Sequence, residues 1–152
     1  MEKPNPGFIE ENLADRPVIC SVCIATYKRM LLLEKLLNSL KNQVLPDGVN
    51  LEIVVVDNDF LHSAEAIVRK FKNTTRIRFY YFNQPEKNIS LTRNMAIEKA
   101  SGDYILFIDD DEYASSEWVS NLLTTIKKFN ADGVFGYLQP QFKDGTPSWL
   151  TA

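Results

Sequence analysis

The chain has 152 residues, of which 45% are hydrophobic and 24% charged, with a net charge of -3 at neutral pH. This composition fits one globular domain and argues against a nucleic-acid partner, because binding to a phosphate backbone requires a basic surface. The sequence contains no run of about 20 apolar residues that would predict a membrane span, and no apolar core of a signal peptide. We therefore expect a cytoplasmic protein.

Strand-like and helix-like segments alternate after a loose, proline-punctuated lead-in at residues 1–17. Apolar runs predict buried parallel strands, and apolar stripes at helical spacing predict amphipathic helices between them. The predicted strands are residues 18–24, 51–56, 76–82, 104–108 and 133–138. The helices are indicated by stripes at residues 33–40, 64–71 and 119–126, and by the segment 90–99.

Three local signals refine these elements. Ser115 and Ser116 are candidate N-caps for the last helix, and Gly102 is a candidate C-terminal cap for the helix that ends near Lys99. Cys20 and Cys23 lie three residues apart in a predicted strand, where their side chains point to opposite faces. We therefore expect two buried structural thiols rather than a metal-binding pair or a disulfide.

The alternation of strands and helices predicts a three-layer α/β/α domain with a mainly parallel sheet over residues 18–138. Residues 139–152 follow as a tail. Such sheets bind ligands beyond the carboxyl ends of their strands. Three polar loops, at residues 26–29, 57–59 and 109–112, are predicted to lie at that edge.

Four consecutive acids, from Asp109 to Glu112, follow the predicted fourth strand. Carboxylates this close repel one another unless water or a cation neutralises them. Asp109 and Asp111, or Asp110 and Asp111, could share a hard divalent ion. A solvated turn before the next helix explains the same acids equally well, so from these residues alone both interpretations stay open.

Four segments of the chain, in order, resemble motifs of the family 2 glycosyltransferases, which have a GT-A fold. They are residues 22–29, 52–58, 88–94 and 100–112. The resemblance implies metal-dependent, inverting transfer of a sugar from a nucleotide-diphospho-sugar donor to a glycan or lipid-linked acceptor, in polysaccharide or glycoconjugate synthesis. It also implies that the chain is the N-terminal, donor-binding portion of such an enzyme. Because acceptors of this family are often lipid-linked, the resemblance further implies that the protein could associate peripherally with the inner face of the membrane. Residues 139–152 would then begin the acceptor side, and the general base would lie outside this chain.

The resemblance assigns the nucleoside end of the donor to two loops. Thr26 and Tyr27 would pack around the base, with the Tyr27 ring as the stacking face. Asp57 or its neighbour Asn58 would hydrogen-bond the base. Many family members carry an aspartate at the position of Asn58, and this departure leaves the identity of the base open.

The resemblance assigns the diphosphate and the metal to the remaining motifs. Arg93, at the start of a helix, would meet the diphosphate, and Arg29 is a weaker candidate for the same anion. Asp111 would be the main ligand of a Mg²⁺ or Mn²⁺ ion, with Asp109 as a second ligand. Asp109 or Asp110 would contact the ribose or a metal-bound water.

Three other functions compete with the transferase. A donor-binding module would bind nucleotide and metal without turnover. A phosphoacceptor receiver domain would need an acidic pair after the first strand, where Thr26 and Tyr27 stand. A haloacid-dehalogenase-type phosphatase would need its acidic motif after the first strand, whereas the acids here follow the predicted fourth strand.

Overall fold

In the computed structural model of the chain, residues 16–75, 77–142, 145–147 and 149 are described. Strands and helices alternate along these residues, in the order β1 (Val18–Thr26), α1 (Met30–Lys41), β2 (Val49–Asp57), α2 (Glu65–Lys72), β3 (Arg78–Asn83), α3 (Ile89–Lys99), β4 (Tyr104–Phe107) and α4 (Trp118–Phe129). The strands form one parallel sheet in the order β3-β2-β1-β4. The predicted parallel α/β fold is thereby confirmed.

The direction of strand addition reverses at β1. The chain adds β2 and β3 on one side of β1 and then places β4 on the other side. The gap between the carboxyl ends of β1 and β4 is therefore the topological switch point of the sheet, the position at which open α/β proteins bind their ligands.

Helices cover both faces of the sheet and make the three predicted layers. Buried residues of α1, α2 and α4 pack with one face in the larger core cluster, whereas Ala96 of α3 packs on the other. Cys20 and Cys23 belong to these two opposite clusters and are free thiols, as predicted. Burial raises the pKa of Cys20 to about 11 and that of Cys23 to about 12. Both thiols are therefore unreactive core residues.

The fifth strand predicted for residues 133–138 is wrong. These residues form no strand, and the sheet of the described residues ends at β4. The prediction rested on strand-prone side chains, but Phe135 and Tyr137 are 103% and 89% exposed. Because strand propensity reflects packing on a sheet, these residues do not form a strand where no neighbouring strand covers them.

The predicted start of the last helix is also wrong. Glu117 is the N-cap of α4, and no side chain of Ser115 or Ser116 caps it. Gln43, in the connection between α1 and β2, does this instead, because its Oε1 accepts the Val119 amide at 3.1 Å. A cap supplied from a distant loop leaves no signal in the local sequence.

Gly102 is not the helix cap that its position predicts. The C-cap of α3 is Ala100 in an extended conformation, and Gly102 instead lies against β1. A Cβ atom at Gly102 would be 2.5 Å from Ser21 Oγ and 2.8 Å from the Ile19 carbonyl oxygen. Glycine is required here for the close approach of two backbones.

A buried carboxylate ties α3 to the sheet at the end opposite the polar loops. Glu52 of β2 is fully buried and accepts hydrogen bonds from Ser21 Oγ at 2.6 Å and from Ser101 N and Oγ at 2.7 Å each. Burial raises the pKa of Glu52, but these hydrogen bonds and the charge of Arg78 outweigh burial and hold the pKa below its ordinary value. The Glu52 carboxyl is therefore ionised at neutral pH in the folded protein.

We expect Glu52→Gln to lower the free energy of unfolding at neutral pH by about 1–2 kcal/mol, because the amide oxygen accepts only neutral hydrogen bonds and the Nε2 that replaces the second oxygen cannot accept one. A carboxyl whose pKa is depressed by folding contributes stability above its unfolded pKa of about 4.3 and loses it as the pH falls through the folded pKa. The difference between wild type and variant should therefore shrink on acidification. Urea unfolding at about pH 7 and about pH 3 measures it.

The matched control for this prediction is Glu34→Gln. Glu34 pairs with Lys70 at 2.7 Å on the surface, where an ion pair contributes only about 0–1 kcal/mol. A stability difference between wild type and Glu52→Gln that stays constant from neutral to acidic pH would contradict the prediction.

None of the helices in the described ranges has the length and apolar character that crossing a membrane requires.

Candidate functional site

An open cleft of about 470 Å³ lies at the carboxyl ends of the strands, over the switch point. Its lining consists of Ala25, Thr26, Tyr27, Arg29, Asn58, Lys87, Asn88, Ile89, Arg93, Asp109, Asp110 and Asp111. The structure thus brings together the predicted site residues, with Asp57 as the exception. It adds Asn88 and Ile89, which belong to the 88–94 motif but were not predicted as site residues, and Lys87, which the sequence did not indicate.

Asp110 joins the two strands that flank the switch point. Its Oδ2 accepts a hydrogen bond from Thr26 Oγ1 at 2.8 Å, and its Oδ1 accepts one from Arg29 at 3.0 Å. Only 7% of the Asp110 side chain is exposed. The hydrogen bond to Asp110, with the charges of Asp110 and Asp111, raises the pKa of Arg29. Asp110 is therefore a fixed structural link in the floor of the cleft.

The other two aspartates face the solvent in the cleft. The side chains of Asp109 and Asp111 are 59% and 49% exposed. Asp109 accepts a hydrogen bond from Arg93 at 2.7 Å, and Asp111 accepts one from Arg29 at 2.8 Å. An arginine therefore neutralises each accessible carboxylate.

These two carboxylates could supply some of the ligands of a metal ion, with water and substrate as the others. Within the described ranges, no group of three or more His, Cys, Asp or Glu side chains is arranged to hold a metal ion. Mg²⁺ in proteins commonly takes one or two carboxylates and completes its shell with water and substrate phosphates. The hard oxygen atoms of Asp109 and Asp111, exposed beside two arginines, match that requirement.

Asp57 lies outside the cleft. Its carboxylate is fully buried and accepts hydrogen bonds from the amides of Asp59 and Ala64, at 3.0 and 2.8 Å, and from Tyr81 Oη at 3.1 Å. These bonds fix the loop after β2. The structure therefore shows Asp57 engaged with its own loop, not gathered with the other predicted residues.

Asn58 lines the cleft and also holds a neighbouring segment. Its Nδ2 donates to the carbonyl oxygens of Gln84 and Glu86, at 2.7 and 2.6 Å, and its Oδ1 accepts the Asn88 amide at 3.0 Å. Asn88 in turn caps α3, because its Oδ1 accepts the amides of Ser90 and Leu91. The helix whose first turns carry Arg93 is therefore anchored to the end of β2.

Tyr27 lies at the rim of the cleft, and two lysines flank its ring. The residue is 37% exposed, and Lys87 Nζ lies 4.8 Å and Lys28 Nζ 5.3 Å from the centroid of its ring. Asn88 was open to prediction as the N-cap of the helix predicted for residues 90–99. Lys87 had no such signal, since a single polar lysine resembles any surface lysine.

Taken together, these features define an open α/β protein with a candidate ligand site at its topological switch point. A family model described as Glycosyl transferase family 2 matches residues 21–151. The chain therefore belongs to glycosyl transferase family 2, as the four motifs predicted.

Individual relatives agree with this assignment. The chain is 33% identical over 127 residues to the succinoglycan biosynthesis protein ExoM of Rhizobium meliloti, across 84% of this chain and 41% of ExoM. It is 31% identical over 120 residues to the GalNAc(5)-diNAcBac-PP-undecaprenol beta-1,3-glucosyltransferase of Campylobacter jejuni, across 76% of this chain and 37% of that enzyme. The chain thus spans about two fifths of the length of these relatives.

A solved structure confirms the fold. The structure of Staphylococcus aureus TarS 1–349 in complex with UDP-GlcNAc superposes with a TM-score of 0.66 at 28% identity, covering 82% of this chain and 37% of that one. TarS is a poly(ribitol-phosphate) beta-N-acetylglucosaminyltransferase. The sheet and helices described above are thus a GT-A fold.

Proposed function

We propose that this chain is the donor-binding part of an enzyme that transfers a sugar from a nucleotide-diphospho-sugar to a glycan or lipid-linked acceptor in polysaccharide or glycoconjugate synthesis. The observation that carries the proposal is the pairing of Arg29 and Arg93 with Asp109, Asp110 and Asp111 at the switch point. Family membership, the UDP-GlcNAc complex of TarS and the undecaprenol-linked relative support it.

Different residues of the cleft would bind the two parts of the donor, the base and the diphosphate. Tyr27 offers an aromatic face to the base. Arg93, near the start of α3, can donate two parallel hydrogen bonds to phosphate oxygens, and the positive end of the helix dipole adds to its charge. Arg29 and Thr26 keep Asp110 in place and so hold the two loops together. The diphosphate then lies between the arginines and the acids.

The acids would hold the metal. Asp111 and Asp109, the exposed carboxylates, are the proposed ligands of Mg²⁺ or Mn²⁺, which when bound would stabilise the negative charge of the leaving nucleoside diphosphate. The proposed transfer inverts the anomeric carbon and requires a base to deprotonate the acceptor hydroxyl. We assign that base to no residue of the described cleft.

A titration with nucleotides tests the donor site. UDP, GDP, ADP and CDP, and the corresponding nucleotide sugars, are titrated by calorimetry into the 152-residue chain with and without Mn²⁺. We expect at least one diphosphate to bind in the presence of Mn²⁺ and more weakly in its absence. Donor hydrolysis and sugar-transfer assays run alongside on the same preparation.

The outcomes separate the enzyme from a binding module. Transfer or donor hydrolysis supports the enzyme, whereas metal-dependent binding without turnover supports a donor-binding module. The absence of any nucleotide binding with Mn²⁺ would exclude both.

A further inference from the structure

Asn58 has no free hydrogen-bond donor with which to read a base. Both hydrogens of its Nδ2 are directed to backbone carbonyl oxygens, those of Gln84 and Glu86, and its Oδ1 accepts a backbone amide. The residue is only 7% exposed. Its side chain therefore connects the end of β2 to the backbone of residues 84–88, which we call the clamped segment.

The attachment of the clamped segment has a second component. Asn83 Nδ2 donates to the carbonyl oxygens of Asp57 and Asp59, at 3.1 and 2.7 Å, and the Gln84 amide donates to Asp57 O at 2.9 Å. These bonds fix the start of the segment. Asn58 reaches further along it, to residues 86 and 88, and so determines where Lys87 lies.

Lys87 differs from the other cations that line the cleft. Arg29 and Arg93 are engaged with aspartates, whereas Lys87 makes no ion pair with any residue in the described part of the chain. Its Nζ lies instead over the Tyr27 ring, 4.8 Å from the centroid. An ammonium group is a good phosphate ligand, and this one lies next to the aromatic ring proposed to meet the base.

We propose that Lys87 binds a phosphate oxygen of the donor's nucleoside diphosphate and that Asn58 is the positioning residue that places it there. The inference rests on the proposed function, because it needs a nucleoside diphosphate in the cleft. It gives Asn58 a role different from base recognition. Selection of the base then depends on other groups around Tyr27.

The amide chemistry of Asn58 is essential to this role. Aspartate has nearly the same shape but no N–H donor, so Asn58→Asp would place a carboxylate oxygen against the carbonyl oxygens of Gln84 and Glu86. We therefore expect this variant to release the clamped segment. In hydrogen exchange followed by mass spectrometry or NMR, the amides of residues 86–88 should together exchange at least roughly tenfold faster, the equivalent of one lost hydrogen bond. Unchanged exchange would overturn the positioning role.

A double-mutant cycle tests whether Asn58 acts through Lys87. The probe is whichever of UDP, GDP, ADP and CDP binds the wild-type chain most tightly with Mn²⁺. We expect Lys87→Gln to weaken its binding roughly tenfold in the wild-type background, as expected for one charge-assisted hydrogen bond. In the Asn58→Ala background, the same change should cost less than about twofold, because the lysine is already misplaced.

Two control variants keep the interpretation specific. Lys128→Gln removes another lysine that lies over an aromatic ring, 5.3 Å from the centroid of Phe129, and should leave binding unchanged. Asn38→Asp adds a negative charge on the exposed side of α1, where its Nδ2 donates to the Glu34 carbonyl oxygen within the same helix. It should not alter exchange of the clamped segment.

The results separate this inference from the proposed function. If the wild-type chain binds a diphosphate and the effects of Asn58→Ala and Lys87→Gln are additive, Asn58 does not act through Lys87. A change of base preference in Asn58→Ala would instead favour direct recognition of the base by Asn58. Wild-type protein that binds none of the diphosphates would exclude the proposed function and the role of Lys87. The exchange measurement would still decide whether Asn58 holds the segment.

Discussion

Replacing Asp111 with asparagine is expected to weaken Mn²⁺-dependent nucleotide binding by at least about tenfold, since even outer-shell partners of a metal ligand contribute about 10–100-fold to affinity. The side chain is 49% exposed, and it accepts a hydrogen bond from Arg29 at 2.8 Å. Loss of one surface charge should therefore change the free energy of unfolding by less than about 0.5 kcal/mol. Calorimetric titration with and without Mn²⁺, together with urea unfolding, measures both quantities.

The control for Asp111→Asn is Asp132→Asn, which removes an exposed aspartate that does not line the cleft. It should leave nucleotide binding and its metal dependence unchanged. If Asp111→Asn retains wild-type binding and the same response to Mn²⁺, the assignment of Asp111 as a metal ligand is wrong.

Replacing Gly102 with alanine is expected to have the largest effect on the fold. The new Cβ would approach the Ile19 carbonyl oxygen and the Ser21 amide nitrogen to 2.8 Å each, and both are backbone atoms of a central strand that cannot rotate away. We expect the free energy of unfolding to fall by about 3 kcal/mol, the upper end of the usual range for overpacking. The Gly102 amide also donates to Ser21 Oγ, and displacement would break that bond.

Gly133→Ala provides the comparison for this variant. A Cβ at Gly133 meets no atom within 4 Å, so the same chemical change should alter stability by less than about 0.5 kcal/mol. Urea unfolding of the two variants measures the difference. Equal stabilities of the two variants would show that the backbone near residue 102 moves away from β1 without loss of stability, and would contradict the prediction.

The apolar pattern predicted the architecture because β1 and β2 are buried as continuous runs and α1, α2 and α4 each bury one face. Leu33, Leu36, Leu37 and Leu40 are all fully buried in α1, as their spacing required. The same reasoning failed for residues 133–138, since strand-prone residues become a strand only beside a partner. It also failed for Gly102 and for the start of α4, whose determining contacts come from β1 and from Gln43. Contacts between distant segments are not encoded in local spacing.

In the candidate site, too, some features were predictable from the sequence and others were not. The order of the motifs and the rule that strands expose ligand sites at their carboxyl ends predicted that Thr26, Arg93 and the aspartates would meet. Residue type alone could not distinguish Asp57 from Asp111. The Asp57 carboxylate accepts hydrogen bonds from two amides of its own loop and from Tyr81 of β3, whereas the Asp111 carboxylate remains accessible. The position of Lys87 depends on hydrogen bonds made by a residue 29 positions earlier, and was therefore not predictable from its neighbours.

The ion pairs of the cleft have a consequence for how a donor would arrive. Three aspartates and three basic side chains, Arg29, Lys87 and Arg93, line the cavity, so their formal charges cancel. The diphosphate charge of a nucleotide-diphospho-sugar is also nearly cancelled by one divalent cation. Long-range attraction would then add little to the encounter, and high salt would slow it only slightly. Recognition would then depend on contacts made inside the cleft. An arginine that leaves its aspartate to bind a phosphate would free that carboxylate for the cation.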